Sequence, residues 1–181
     1  MLFAHDTEAA LRAAVSLVNT DDDPDTMTTL DELDGWYTEF KYTGRRDHDE
    51  AELESVRALR PVLRELLTGE RDWIAERINT LLAEAGAVPQ LIRHDDIDWH
   101  IHAVSRDAPL RLRIVVETAM AMTDLVRADE LSRIFICEDD PCEGIVLDLS
   151  KNRSRRFCST KCANRNAAEA YRARKRSSGD A

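Results

Sequence analysis

The chain has 181 residues, of which 43% are hydrophobic and 33% charged, which suits one ordinary folded domain plus a small appendage and excludes an intrinsically disordered chain. No stretch approaches the roughly 20 apolar residues of a membrane span. The opening Met1-Leu2-Phe3-Ala4-His5-Asp6 lacks the basic leader and apolar core of a secretory signal, so the expected address is the cytoplasm. The net charge of −10 conceals a split. Residues 1–150 carry 15 Lys/Arg and 33 Asp/Glu, a balance of −18, whereas residues 151–181 carry ten Lys/Arg against Glu169 and Asp180, a balance of +8. An acidic body repels nucleic acid, so any such contact falls to the basic end.

In chain order, Leu11, Val15 and Val18 recur at helical spacing and predict a helix over 7–18, with Asn19 and Thr20 as its stop. The run Asp21 to Asp25, containing Pro24, breaks regular structure. It resembles a calcium loop in composition only, lacking the glycine and the final glutamate of such a loop. Leu30, Leu33, Trp36, Tyr37 and Phe40 predict a short helix over 29–40. Residues 47–68 form a stronger pattern, with Leu53, Val56, Leu59, Leu63, Leu66 and Leu67 on one face and a kink or break expected at Pro61. Arg57, Arg60 and Arg64 share another face and are expected to pair at the surface with Glu54 and Glu65.

Gly69 ends that pattern, and Trp73, Ile74, Ile78, Leu81 and Leu82 mark the next helix, up to Gly86. Residues 88–104 read as a β-hairpin, because 97–102 alternates strictly. Within the run His94 to His102, the pair His100 and His102 offers metal-ligand chemistry together with Asp98. The favoured reading is a solvated polar strand face opposite Ile97, Trp99 and Ile101. Helical spacing then returns from Leu110 to Val126.

From Arg133 the texture changes. All four cysteines lie here, at Cys137, Cys142, Cys158 and Cys162, spaced Cys-x4-Cys, fifteen residues, Cys-x3-Cys. Two close pairs divided by a short insert are the sequence form of a four-thiolate zinc site, whereas a reducing cytoplasm disfavours two disulfides. The expectation is one structural Zn2+ per chain, closed by four sulfurs and so without a catalytic water. Gly144 to Leu149 reads as a strand, 150–154 as a turn and Arg155 to Phe157 as a return strand, and Ser159 or Thr160 caps a helix reaching Tyr171 or beyond. Knuckle, hairpin and helix in that order form a treble clef. Such a unit buries too little apolar surface to fold alone, so the metal supplies much of its folding free energy. The expected fold is mostly α with a small β-hairpin: a multihelical domain over 1–132 and a treble-clef-like zinc module with a basic helix over 133–181.

Phe157-Cys158-Ser159-Thr160-Lys161-Cys162-Ala163-Asn164-Arg165, preceded by Arg155-Arg156 and followed by Tyr171-Arg172-Ala173-Arg174-Lys175-Arg176, resembles the signature of the CGNR zinc-finger family. That family is named for a Cys-Gly-Asn-Arg tetrapeptide; here Ala163 stands in place of its glycine. Upstream, Leu17-Val18-Asn19-Thr20 is similar to the F-V-N-T stretch of the ABATE domain that accompanies this finger, and Arg57-Ala58-Leu59-Arg60 and Ile78-Asn79 fit the same domain more weakly. The resemblance implies a stress-induced transcription regulator that contacts DNA.

On an ideal helix, Lys161, Arg165, Arg172, Lys175 and Arg176 fall at about 0°, 40°, 20°, −40° and 60°, a single cationic stripe. The opposite side carries Ala163, Ala167, Ala170 and Tyr171, expected to pack on the hairpin or the body. The stripe suits phosphate contact, and Asn164 and Asn166 offer base-edge chemistry. The alternative is a stripe that neutralises the acidic body or is simply solvated. No Ser/His/Asp triad, phosphate loop or dinucleotide fingerprint occurs, so an enzyme is not expected. The leading expectation is zinc-dependent DNA binding in transcriptional control, with the helical body sensing a small-molecule effector or forming a homodimer. The alternatives are a protein–protein adaptor with a purely structural zinc module, and a small-molecule binding protein with a pocket near Asn19 and Trp36.

Overall fold

The computed structural model describes residues 3–94 and 97–177. Asp95 and Asp96 of the His94–His102 run, and Asp180 of the basic end, lie outside the described residues.

Helix α1 (His5–Asn19) is followed by α2 (Leu30–Glu39), α3 (Glu50–Arg57), α4 (Leu59–Thr68) and α5 (Arg71–Glu84). The hairpin β1 (Gln90–His94) and β2 (Ile97–His102) precedes α6 (Leu110–Ala128), and β3 (Ile134–Ile136), β4 (Ile145–Leu147) and α7 (Thr160–Ser177) complete the chain. Among the described residues no helix is long and apolar enough to cross a membrane.

Local chemistry accounts for the boundaries. Thr29 and Glu32 form a reciprocal capping box at the start of α2, and Asp49 caps α3 by accepting from the Glu52 N–H at 2.8 Å. The predicted 47–68 helix is broken at Ala58. Pro61 explains the position, since its ring collides with the carbonyl four residues earlier, at Arg57, where α3 ends. Helix α6 ends with Asp129 in the left-handed region (φ 57°), its N–H capping the last carbonyls.

The core forms where α1, α4, α5 and α6 meet. Leu11, Leu17, Leu33, Leu53, Leu59, Leu63, Ile114, Val116, Met122 and Leu125 are fully buried there. Ile134, Ile145 and Leu147 of the second hairpin belong to the same cluster, so β3 and β4 are built into the body. Buried polar groups fasten the loops. Arg113, 2% exposed, donates to the carbonyls of Thr43, Arg45 and Ala108, which pins the 43–45 segment to α6.

The expectation of surface pairing for Arg57, Arg60 and Arg64 holds only in part. Arg57 pairs with Glu54 at 2.7 Å, but Arg60 is 3% exposed and grips Asp25 through two nitrogens at 2.8 and 2.9 Å. It also reaches Asp21 and the Met27 carbonyl, so the acidic loop is folded over a buried guanidinium. Arg64 donates to the Glu143 carbonyl inside the first cysteine knuckle, at 2.9 Å.

The first hairpin is where predicted, but its faces are reversed. Leu91, Trp99 and Ile101 are exposed, while the His100 and His102 rings lie half-buried with their Nε2 atoms 2.9 Å apart. Asp6 of α1 accepts from the Ile101 N–H, and Glu117 of α6 lies 4.0 Å from His102 Nδ1. Acidic groups on the two helices therefore receive the histidine face. Alternation reveals two faces without showing which one the neighbouring helices will cover. Asp98 stays exposed, and the four cysteines are the metal-competent cluster found among the described residues.

Candidate metal centre and basic helix

Strand β3 delivers Cys137, and the knuckle returns through Cys142 and Gly144 into β4, with the Cys137 N–H donating to the Gly144 carbonyl at 2.8 Å. Ser159 caps α7: its hydroxyl accepts from the Cys162 N–H and its carbonyl from the Ala163 N–H. That cap places Cys158 just before the helix and Cys162 in its first turn. All four sulfurs lie within 4.8 Å of one another. Two of the separations are 3.5 Å (Cys142–Cys158) and 3.7 Å (Cys158–Cys162), against about 3.8 Å for sulfurs on a tetrahedral zinc with 2.3 Å bonds.

Several features fit a divalent cation. The N–H groups of Cys158 and Gly144 donate to the sulfurs of Cys137 and Cys142 at 3.3 and 3.4 Å. Burial, followed by the crowding of neighbouring thiols, raises the proton affinity of Cys158, and burial pushes Cys162 up to about 11. Cys158 and Cys162 therefore resist ionisation until a cation offsets the charge. Phe135, Val146 and Phe157 pack around them as an apolar shell. A β-carbon on Gly144 would lie 2.9 Å from the Cys158 sulfur and 3.3 Å from that of Cys142, so only glycine leaves room for the cluster.

The predicted return strand at Arg155–Phe157 does not form; β4 pairs back with β3 instead, in the register Ile134↔Leu147, Phe135↔Val146, Ile136↔Ile145. The outer edge of β4 is occupied by the Asn19 side chain, which donates to the Ile145 carbonyl at 2.8 Å and accepts from its N–H at 2.7 Å. Asp148, 2% exposed, accepts the N–H groups of Ser150 and Arg155, holding the 148–155 loop in a turn. Asn19 therefore mounts the metal hairpin on α1, and Trp36 packs on Phe40 and Tyr42. Asn19→Ala leaves two main-chain groups of Ile145 without partners and is expected to lower stability by about 2 kcal/mol. A shift of the urea midpoint at unchanged zinc content measures it.

The basic residues divide into two groups. Arg153 pairs with Glu130 at 2.6 Å, Arg156 with Glu138, and Arg165 with Asp139. Asp139 is 1% exposed, also accepts from Asn166, and is held below the usual carboxylate range by the Arg165 guanidinium. Arg165 thus ties α7 to the first knuckle. Lys161, Asn164, Arg172, Lys175 and Arg176 are exposed. The expected packing of Ala167, Ala170 and Tyr171 is absent: all three are exposed, Tyr171 at 61%, and α7 leaves the body after its second turn. Sequence reading missed Asp139, Asp148 and Gly144. An acid between the first two cysteines, opposite an arginine three residues past the last, was the available signal for Asp139.

A helical body carrying a hairpin knuckle and a helix that together close four thiols defines a treble-clef metal module joined to an α-helical domain. The chain belongs to the ABATE family, whose model, described as "Putative stress-induced transcription regulator", matches residues 11–129. The model described as "CGNR zinc finger" matches residues 133–175. No curated protein matches the chain.

Proposed function

We propose that the protein is a DNA-binding transcription regulator in which one structural zinc, held by Cys137, Cys142, Cys158 and Cys162, anchors α7 as the DNA-contacting element, while the body responds to a small molecule or mediates assembly. The observation that carries this reading is the exposed distal half of α7, which presents Arg172, Lys175 and Arg176 on the same side as Lys161. A cationic helix fixed at one end by a metal and projecting from an acidic body suits phosphate contact. Arg165 serves this arrangement as a positioning residue through Asp139. Asn164, exposed beside the stripe, is the candidate for base contact.

Arg172→Ala tests the reading. It is expected to weaken binding to all duplexes alike and to flatten the logarithmic salt slope by about one unit. A variant that binds as wild type with the same slope places the helix elsewhere.

A further inference from the structure

Away from the thiols and α7, the body carries a partly open cavity of about 450 Å³, within the range of pockets that take small organic molecules. Ala9, Ala10 and Ala13 on the N-terminal half of α1 leave the space, and α6, β2 and the Phe40–Thr43 segment close it. Neither Asn19 nor Trp36 lines it. Most of the wall is apolar, so its polar groups set what it accepts.

Those groups are unequally satisfied. Asp6 accepts the Thr7 and Ile101 N–H groups, and Asp124 accepts the Thr7 hydroxyl at 2.6 Å. Glu117 meets the Tyr42 hydroxyl and, at 4.0 Å, too long for a hydrogen bond, His102 Nδ1, which leaves most of its carboxylate lone pairs without a donor. The Tyr42 hydroxyl is buried with Glu117 as its neighbour, in a contact short of good hydrogen-bond geometry. Burial, reinforced by Asp6 and opposed by Arg113 and Tyr42, pushes the Glu117 carboxyl up to about 7. The cations among the lining residues, Lys41 and Arg127, are exposed, whereas the three carboxylates are at least half-buried. An interior with unmet acceptor capacity, apolar walls and the aromatic rings of Phe40 and Tyr42 favours a cation with an apolar body.

We propose that this cavity binds a small, mostly apolar organic amine whose ammonium group donates to Glu117 and whose hydrocarbon part lies along Ala9, Ala10 and Ala13. The inference concerns the body alone and holds whether or not α7 contacts DNA. The titratable and charged groups facing Glu117 are Asp6 from α1, Tyr42 from the segment after α2, His102 from β2 and Arg113 on α6 itself. An aliphatic amine stays protonated throughout the neutral range. Its affinity therefore follows the ionisation of Glu117 and rises with pH.

Zinc-loaded full-length protein titrated with benzylamine and, separately, with benzoate provides the test, read by calorimetry at pH 6 and pH 8. The expected result is saturable benzylamine binding, about tenfold tighter at pH 8, with benzoate at least about tenfold weaker. Glu117→Gln is expected to weaken benzylamine about tenfold and to remove the pH dependence. Ala10→Phe, which fills the cavity, is expected to abolish binding while unfolding remains cooperative, and it decides the matter if Glu117→Gln does not fold. Absent or non-saturable benzylamine binding, equal binding of benzoate, or binding that survives Ala10→Phe overturns the proposal.

Discussion

Cys158→Ser is expected to abolish tight zinc binding and to release α7 from the body. A serine hydroxyl stays protonated where a thiolate is required, and three remaining sulfurs leave the cation open to water. Four-thiolate zinc contributes on the order of 10 kcal/mol of binding free energy to small modules that are otherwise unfolded. Beyond the thiols, the contacts of the 18-residue helix α7 with the first knuckle, Arg165 and Asn166 on Asp139, lie in its second turn, and every residue from Ala167 to Arg176 is exposed. The loss is expected to spare the β3–β4 hairpin, although the zinc unit as a whole buries too little apolar surface to fold alone. Ile134, Ile145 and Leu147 share the body core, and Asn19 holds β4, so the hairpin stays docked while the segment after Asp148 disengages. Metal analysis together with helical circular dichroism measures both effects. Zinc content near zero with a loss of helical signal matching one helix is the expected pair of values.

Arg60→Ala has the next largest expected effect, a destabilisation of about 3 to 5 kcal/mol, the usual result of removing one partner of a buried ion pair. The truncation removes both hydrogen bonds to Asp25 and the one to the Met27 carbonyl, and it frees the acidic loop that follows α1. The same contact has a pH signature. Arg60 holds the Asp25 carboxyl well below its ordinary range, with help from the Met27 N–H and Arg57. A depressed carboxyl contributes stability that is fully present above its unfolded value of about 3.9 and is lost as pH falls through and below it. Wild-type stability should therefore decline more steeply below about pH 4 than that of Arg60→Ala. Urea midpoints measured from pH 3 to pH 7 for both proteins test this.

Periodicity and composition made the helical body legible, because Leu11, Leu53, Leu63 and Val116 follow the helical repeat of a surface that must be buried. The cysteine pairs were legible for a different reason: ligand spacing is a local constraint that a short sequence window contains. What depended on long-range partners was not legible. Asn19 appeared to be a helix stop, and its hydrogen-bond partner lies 126 residues away at Ile145. Arg60 looked like a surface residue until Asp25, 35 residues earlier, folded back over it. The hairpin 90–102 was found by alternation, but alternation alone did not show that its histidine face is the one turned toward α1 and α6. The basic stripe on α7 was correctly periodic, yet Asp139 removes Arg165 from its outward set.

Salt-titrated binding of zinc-loaded full-length protein to duplex DNA, with and without a chelator, tests the central claim most directly. Lys161, Arg172, Lys175 and Arg176 on phosphates predict a logarithmic salt slope of about −3 to −4, at roughly −0.9 per contact, and chelation removes the binding as α7 loses its anchor. No detectable binding at low salt, or binding that is insensitive to both salt and chelator, contradicts the account and leaves α7 as a docking surface for an acidic protein.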